Sequence, residues 1–583
     1  VETKAGITQL VKQLAVVSFG IEYTDPVNTF IESNITDTKN KPSIELANVC
    51  PSCVQNKSLE FSSQFESGNL HKVTRTEGRE NLTTHLMSGI NVNDNETGEF
   101  SSNSGEYAAP TKVDQEYNLW LRKDINTSGN IQWYYFCTVA PIETSGLIYP
   151  LKVRFQIVNM MKKDALYNVG MKPAVLSSCL GEWGHAGDDI CYYKNGLTNN
   201  TIDSLGNQPS SQNPGAQSGT EKKKKKKIKY FSTLCFTYTF QKPGEVVYFA
   251  HCYPYTYTDL QMYLRSIEIN EKYTAIVHRR VLCTTLAGNR CDLLTITSRS
   301  KDKNQAARRP AIVLTARVHP GESNSSYAMH GLINFLLSDV PDAVALRNTF
   351  IFKIVPMMNP DGVIHGNYRC SLAATDLNRR YANCSSYLHP TVHSLRSMLG
   401  DLQETRGVHL YLDIHGHSKK KNVFLYGCDI VQQPENWVRR DLEYKNRMEV
   451  LGQRVHSRTF AKVLCGLSNS SLKESKRKGY FNYDDCKFTV SKGKRGTGRV
   501  VAWRDIGIEG SYTIELSFCG TGFNEDASLF KKAEERGFDA LLAKEYKMKN
   551  SKMKFGGIQE DIESNMSPSI ANDYRLYKEI LKD

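Results

Sequence analysis

The sequence predicts two folded domains, an all-β sandwich followed by an α/β domain whose mixed sheet is flanked by helices. Over residues 65–265, short aromatic-rich runs alternate polar and apolar side chains and are separated by turn residues, most clearly at 117–121, 132–139 and 151–158. Several such runs at close spacing are typical of a β-sandwich. Over residues 266–550, apolar runs alternate with stretches of helical spacing, which is the pattern of an α/β sheet.

The composition supports this organisation. The chain has 583 residues, of which 40% are hydrophobic, and this is enough for two or three cores. We expect a partly disordered upstream remnant over residues 1–64, a disordered Lys-rich insertion in the sandwich at 195–229 and a charged tail at 551–583. No apolar run of about 18 residues occurs, so no membrane span is expected.

The charge of the chain bears on its partners. The formal net charge is +13 and the pI is near 8.9, which favours polyanionic partners. The insertion contains an unbroken lysine run, Lys222 to Lys227, which is either a solvated loop kept extended by repulsion or a contact for an acidic protein tail. Because no zinc finger or RNA-binding signature is present, we expect an acidic protein partner and no nucleic acid.

A His-Pro-Gly-Glu motif at residues 319–322 is the most informative chemical feature. It follows the apolar run 311–316, which we predict to be a strand. His319 and Glu322 would therefore lie close together just after the end of that strand. A catalytic zinc typically takes three protein ligands and leaves one position open. The spacing alone is a weak signal, since it occurs by chance in many long chains.

His415 is the candidate for the third ligand. It ends the alternating apolar run 408–414, and Gly416 would let the backbone turn sharply so that the imidazole points back at the metal. His417 is a poorer candidate, because one more imidazole would close the open position.

Polar residues between these ligands have the character of a carboxylate receptor. A turn is predicted at the Asn-Pro-Asp-Gly motif of residues 359–362. Arg369 follows in a Gly-Asn-Tyr-Arg motif, and residues 376–379 read Asp-Leu-Asn-Arg. The guanidinium fork matches a carboxylate with two hydrogen bonds, although arginines are also commonly solvated or held in surface ion pairs.

Glu515 completes the set of candidates. It lies inside a predicted half-buried strand, residues 511–518, where acidic side chains are depleted. A carboxylate in that position needs a partner or a role, and a general base that faces a water activated by a metal would be such a role.

Taken together, these motifs resemble the zinc carboxypeptidases of the funnelin type, and their wording is most similar to the cytosolic, Nna1-like subfamily. The matching stretches are residues 316–322, 358–363, 366–372, 413–418 and 511–515, with 65–69 and 253–258 in the upstream domain. The resemblance covers roughly residues 65–550, with gaps at insertions. It departs at residues 373–375, where relatives usually carry a glycine, and at Tyr381, where tryptophan is common.

The resemblance implies a metal centre with one zinc ion per chain, within a catalytic domain over residues 266–550. His319, Glu322 and His415 would bind the zinc. Glu515 would act as the general base, and Asp376 would orient a zinc-binding imidazole from behind.

The resemblance also implies how a substrate binds. Arg369 would polarise the scissile carbonyl, and Asn378 and Arg379 would hold the terminal carboxylate. The segment 492–504 would line the pocket for the departing residue. Arg499 is our choice for the cation that receives a glutamate side chain, because an unpaired buried carboxylate is costly; the alternative is that Arg499 is a surface charge.

The implied activity is that of a zinc metallocarboxypeptidase that removes C-terminal or branched glutamates from acidic tails such as those of tubulin. One alternative is a zinc amidohydrolase of small acylated amino acids, which would not need the upstream domain. Another is a catalytically silent microtubule-binding protein, which the complete set of catalytic groups disfavours. The 15 irregularly spaced cysteines suit a reducing cytosol, and the resemblance adds a possible association with the cytoskeleton or cilium.

Overall fold

The computed structural model describes residues 57–76, 112–142, 147–198, 230–429, 447–470 and 481–520. These residues fall into two compact units that divide between Pro254 and Tyr255, and the short segment His365–Tyr368 belongs to the first unit. The lysine run, the tail at 551–583, most of the insertion at 195–229 and most of the remnant at 1–64 lie outside the described residues.

The first unit is built from two five-stranded sheets, ordered β1-β4-β10-β6-β7 and β2-β3-β5-β9-β8. The strands are β1 (Glu60–Ser62), β2 (Lys72–Arg75), β3 (Gln115–Trp120), β4 (Tyr135–Val139), β5 (Leu151–Met160), β6 (Ala174–Ser177), β7 (Trp183–His185), β8 (Asp188–Thr198), β9 (Tyr230–Phe240) and β10 (Val246–Ala250). A short 3-10 helix, Leu166–Val169, precedes β6.

Aromatic rings from both sheets form the core of this unit. Phe155 of β5 lies with its ring centroid 5.1 Å from that of Phe249 and 6.4 Å from that of Phe136, which belong to the opposite sheet. Phe236 of β9 lies 5.6 Å from Phe249, and all four rings are fully buried. The predicted β-sandwich is therefore confirmed, and the alternating aromatic runs of the sequence are its inward-facing positions.

The second unit contains one seven-stranded mixed sheet, ordered β11-β12-β14-β13-β15-β17-β16. Its strands are β11 (Val277–Thr284), β12 (Arg290–Ile296), β13 (Ala311–Ala316), β14 (Ile351–Val355), β15 (Val408–His417), β16 (Val423–Tyr426) and β17 (Ser511–Ser517). The central strands β14, β13, β15 and β17 run parallel to one another, and the outer strands β11, β12 and β16 pair antiparallel with their neighbours.

Helices connect these strands. They are α1 (Tyr257–Glu268), α2 (Lys303–Arg308), α3 (Ser323–Leu337), α4 (Pro341–Thr349), α5 (Pro360–Ile364), α6 (Pro390–Thr405), α7 (Arg447–Ser470) and α8 (Gly498–Val501), with shorter 3-10 turns at Glu271–Tyr273, Leu377–Arg379, Tyr483–Asp485 and Lys492–Lys494 and a π-turn at Ala502–Ile506. The start of α1 is fixed by a capping box between Thr256 and Asp259. The predicted α/β architecture is confirmed.

Strand β13 shows why its sequence is apolar throughout. Ile312 and Leu314 enter the core on one face of the sheet, together with α1 and α3. Ala311 and Val313 enter the core on the other face, together with α6. A strand covered on both faces has no solvent-facing positions, so continuous apolar sequence replaces the polar–apolar alternation.

Two local predictions were wrong. The Asn-Pro-Asp-Gly motif does not form an isolated turn, because Pro360 begins the five-residue helix α5; proline is well suited to the first helical position. The strand predicted to end before His415 instead continues to His417, so His415 lies within a strand.

Within the part of the chain that the structure describes, no helix is both long enough and apolar enough to cross a bilayer. The cysteines of the same residues are all free thiols.

Truncating Phe155 to alanine should destabilise the sandwich by about 3–5 kcal/mol, since it empties the space between the two sheets. The matched control is Ile148→Ala, whose side chain is exposed and whose loss should cost less than about 0.5 kcal/mol. Urea unfolding followed by tryptophan fluorescence measures both. Equal midpoints for the two variants would contradict the proposed core.

Candidate metal centre and active site

The candidate residues meet because three parallel strands end at one edge of the sheet. Strands β13 and β15 are in register up to the pair Ala316 and Ile414, so the turn after β13 lies beside the end of β15. Strands β15 and β17 pair His415 directly with Glu515. Polar groups at the carboxyl ends of parallel strands commonly form the functional site of an α/β domain.

His319, Glu322 and His415 form a buried cluster. The Nδ1 atom of His319 lies 2.8 Å from Oε1 of Glu322, and Nδ1 of His415 lies 3.0 Å from Oε2 of the same carboxylate. The two Nδ1 atoms are 3.2 Å apart. Among the described residues, this is the group of His, Cys, Asp and Glu side chains that could hold a metal, with ligand atoms within 4.8 Å of one another.

The far side of each imidazole is held by a carboxylate. Nε2 of His319 lies 3.1 Å from Oδ1 of Asp376, and Nε2 of His415 lies 2.7 Å from Oδ2 of the fully buried Asp413. An Nε2–H that donates to a carboxylate leaves the Nδ1 lone pair facing the cluster. Two such imidazoles and one carboxylate are the donor set of a catalytic zinc site, so the residues fit this metal.

The carboxylate and imidazole groups of the cluster stabilise each other's charged forms. Burial alone would raise the pKa of Glu322, but the two imidazoles hold it well below its usual range. Burial alone would lower the pKa of His415, but Asp413 and Glu322 raise it well above its usual value. The carboxylate form of Glu322 is thus the stable one, and this is the form that binds a metal.

A buried arginine shapes the turn that carries His319. Arg317 is 1% exposed and has a positive φ of 59°, which is uncommon for a residue other than glycine. Its Nε donates to the carbonyl of Pro320 at 2.7 Å, and its Nη1 donates to the carbonyl of Tyr255 and to the hydroxyl of Ser326, both at 2.9 Å. Arg317 therefore ties the metal-binding turn to the starts of α1 and α3.

The glycine beside His415 has a different purpose from the one expected. Gly416 lies in extended backbone within β15, so it does not provide a sharp turn. A Cβ at this position would overlap with Oδ1 of Asn324 and lie 2.8 Å from the ring of Phe518 and 3.0 Å from Cβ of Glu322. Its N–H donates to Oε2 of Glu322 at 2.9 Å. Gly416 is needed because the side chains of Asn324, Phe518 and Glu322 approach the strand this closely.

Glu515 is half-buried on the strand next to His415. Burial raises the pKa of Glu515 to about 7, Glu322 acts in the same direction, and the imidazoles of His415 and His319 oppose it. A carboxyl group whose pKa lies near neutrality is suited to accept and return a proton.

Asp376 links the metal cluster to an arginine. Its Oδ2 accepts from Nε and Nη2 of Arg369 at 2.8 and 2.7 Å, while its Oδ1 faces His319. Burial opposes ionisation of Asp376, but the charges of His319 and Arg369 hold its pKa well below its usual range. The carboxylate thus orients one candidate ligand and one candidate substrate-binding residue at once.

Asn378 and Arg379 follow on the same turn. Asn378 is buried; its Nδ2 lies 3.1 Å from Nε2 of His415, and its Oδ1 accepts from the N–H of Gly498 at 3.0 Å. The half-buried Arg379 donates to the carbonyl of Asn378 and lies 4.0 Å from Asp376. The structure therefore brings both residues to the metal cluster.

Arg499 is buried, contrary to the alternative that it is a surface charge. It is 5% exposed, and its guanidinium lies 5.7 Å from the centroid of the Tyr426 ring. Among the described residues its Nε has no hydrogen-bond partner. Partial burial and the charges of Arg379 and Arg369 lower the pKa of Lys494, so several cations lie close together near Glu515.

Asp413 and Arg317 are the site residues that the sequence did not suggest. Asp413 precedes His415 by two positions, so both side chains lie on the same face of β15. An acidic residue in an otherwise apolar run was the available signal for it. Arg317 carried no comparable signal, because one of its acceptors, the carbonyl of Tyr255, is 62 residues away in the sequence. His417, the poorer candidate for a ligand, accepts from the backbone N–H groups of Lys419 and Lys420.

The fold and the His-Glu-His cluster define a zinc carboxypeptidase domain. The profile of the zinc carboxypeptidase family matches residues 262–540, so this part of the chain belongs to that family of peptide hydrolases, whose cofactor is zinc. The putative carboxypeptidase A from Shewanella denitrificans OS-217 has a similar fold, with a TM-score of 0.50, 20% identity and coverage of 81% of this chain and 91% of that one.

Within the family, the chain is related to the cytosolic carboxypeptidases. It is 38% identical to cytosolic carboxypeptidase 3 of Mus musculus over 495 residues, which are 83% of this chain and 40% of that protein. It is 40% identical to cytosolic carboxypeptidase 2 of Homo sapiens over 474 residues, which are 80% of this chain and 42% of that protein. The chain thus spans about two fifths of the length of these relatives.

Replacing Asp376 with asparagine should weaken zinc binding by about 10–100-fold, because the imidazole of His319 loses the charged acceptor that orients it. Competition with a chromophoric chelator measures the affinity. The control is Asp342→Asn, which changes an exposed aspartate at the start of α4. Equal affinities for wild type and Asp376→Asn would show that the carboxylate does not support the metal.

Proposed function

We propose that this protein is a zinc-dependent carboxypeptidase that removes glutamate from the C-termini or branches of acidic protein tails. The observation that carries the proposal is the buried cluster of His319, Glu322 and His415 with Glu515 paired to His415 on the neighbouring strand. A metal-binding set beside a carboxyl group of raised pKa is an arrangement that can hydrolyse a peptide bond.

Different side chains of the site carry out the separate steps of peptide hydrolysis. His319, Glu322 and His415 would hold the zinc ion, which when bound would supply the Lewis acidity that activates water and polarises the peptide carbonyl. Glu515 takes the proton from the attacking water and then delivers it to the leaving amine. Arg369 donates hydrogen bonds to the carbonyl oxygen as negative charge develops on it.

The end of the substrate is recognised by its carboxylate. Asn378 and Arg379 offer an amide and a guanidinium beside the metal cluster, and a guanidinium pairs well with a terminal carboxylate. The neighbouring acidic group, Asp376, is already paired with Arg369 and His319. The C-terminal carboxylate of a substrate can therefore pair with the guanidinium of Arg379, whose charge is not fully neutralised by Asp376.

The preference for glutamate is the finer part of the proposal. Arg499 is buried with an Nε that has no hydrogen-bond partner among the described residues, and a buried cation of this kind favours an acidic side chain. The net charge of +13 supports acidic protein partners. The relatedness to cytosolic carboxypeptidases supports work in the cytoplasm. As substrates we propose acidic tails such as those of tubulin, on microtubules or in cilia.

Replacing Glu515 with glutamine should lower kcat by about 100-fold or more while zinc stays bound, because glutamine is nearly isosteric but cannot accept a proton. Release of glutamate from a polyglutamate peptide, measured by mass spectrometry, gives the rate, and elemental analysis gives the zinc content. The matched control is Glu509→Gln, an exposed position just before the same strand. Wild-type turnover of the zinc-loaded Glu515→Gln protein would refute the proposed base.

Replacing Arg499 with leucine should reverse the preference for the departing residue. The change removes the cation and adds apolar lining, so kcat/KM should fall for a peptide that ends in glutamate and rise relative to it for one that ends in leucine. Arg504→Leu is the control, because Arg504 is paired with Asp505 and should leave the preference unchanged. An unaltered glutamate-to-leucine ratio in Arg499→Leu would exclude this residue as the selectivity determinant.

A further inference from the structure

The Asn-Pro-Asp-Gly motif at residues 359–362 has no part in the chemistry described above, yet it lies against the metal-binding turn. Strand β14 runs parallel to β13, so the chain that leaves β14 passes beside the chain that leaves β13. The N–H of Met358 donates to the carbonyl of Ala316 at 2.9 Å, which extends this pairing past both strand ends.

Gly362 makes the closest approach between the two segments. It lies within the helix α5 and has no positive φ, so its backbone conformation does not require glycine. A Cβ at this position would overlap with Cγ of Pro320 and lie 2.9 Å from Oδ1 of Asn359. The absence of a side chain therefore allows α5 to pack directly on the residue after His319.

Asn359 holds the residue before His319. Its Nδ2 donates to the carbonyl of Val318 at 3.3 Å, and its Oδ1 accepts from the N–H of Gly362 at 3.1 Å. Asn359 and Gly362 thus contact the backbone or ring on both sides of His319, and both are buried.

Asp361 anchors this arrangement to the rest of the sheet. Its carboxylate is 5% exposed and accepts from the Thr285 hydroxyl at 2.5 Å, from Asn289 Nδ2 at 2.8 Å and from the N–H of Ala287 at 3.1 Å. These three donors lie in the turn between β11 and β12. Several hydrogen bonds to one buried carboxylate give a rigid anchor, because each lost bond would leave a polar group unpaired.

We propose that Asn359, Asp361 and Gly362 form a clamp that positions His319 for metal binding. The clamp fixes Val318 and Pro320 and thereby the direction of the imidazole between them. Metal affinity depends on such supporting contacts as well as on the ligands themselves. The proposal concerns only the zinc site, so it can fail or succeed independently of the glutamate preference proposed above.

The test is zinc affinity of the full chain, measured by chelator competition on Gly362→Ala. We expect the dissociation constant for zinc to rise by about 10–100-fold, as for other changes behind a ligand. The matched control is Gly331→Ala, also a glycine within a helix, where a Cβ meets nothing within 4 Å and the affinity should stay unchanged. Wild-type affinity in folded Gly362→Ala would overturn the proposal.

Two further variants distinguish a role in positioning His319 from a general loss of protein stability. In the His319→Ala background, Gly362→Ala should add no further loss of zinc affinity, because its route to the metal is gone; an equal additional loss would overturn the proposal. Adding Pro320→Ala to Gly362→Ala removes the Cγ that the new Cβ meets and should recover part of the affinity.

If Gly362→Ala does not fold, as judged by the melting temperature of the metal-free protein, Asp361→Asn replaces it. Asparagine keeps the shape but cannot accept from all three donors, so zinc affinity should fall at least several-fold. An unchanged zinc affinity in folded Asp361→Asn would then refute the clamp.

Discussion

The parallel pairing of β13, β15 and β17 is the constraint on which the site depends. Each strand brings one chemical group to the same edge of the sheet, namely the turn with His319 and Glu322, then His415, then Glu515. Because side chains of paired residues in parallel strands face the same side, His415 and Glu515 cannot be separated without a slip in register.

The electrostatics of the site are set by four acidic groups around two imidazoles. Glu322, Asp376, Asp413 and Glu515 surround His319 and His415, and Asp376 is also paired with Arg369. Buried acidic groups are costly unless a cation or metal compensates them. A divalent zinc ion held by the two Nδ1 atoms and the Glu322 carboxylate would fit this balance.

Sequence patterns were sufficient to predict those parts of the site that depend on a single strand and its motif. The runs that became β13, β15 and β17 are apolar and carry recognisable motifs. The family resemblance of those motifs predicted that His319, Glu322, His415 and Glu515 meet. Gly416 was correctly singled out for the wrong reason, since the close approach of Glu322 to its backbone depends on a neighbour 94 residues away.

Other features depended on contacts that no local pattern records. The support of His415 by Asp413, the burial of Arg317 and the packing of Gly362 on Pro320 all arise from residues that the fold brings together. The helix at Pro360 replaced a predicted turn because the same residues that favour turns also favour a helix start. The sequence motifs and the strand order therefore identify the reacting groups. They do not identify the contacts that support those groups.

The most direct test of the metal site is anomalous diffraction from crystals of the zinc-loaded protein, collected on both sides of the zinc absorption edge. The account predicts one zinc peak per chain, bounded by Nδ1 of His319, Nδ1 of His415 and the carboxylate of Glu322. Distances should be about 2.0–2.2 Å to each ligand. A peak coordinated by other side chains, or full zinc loading with no peak at this cluster, would contradict it.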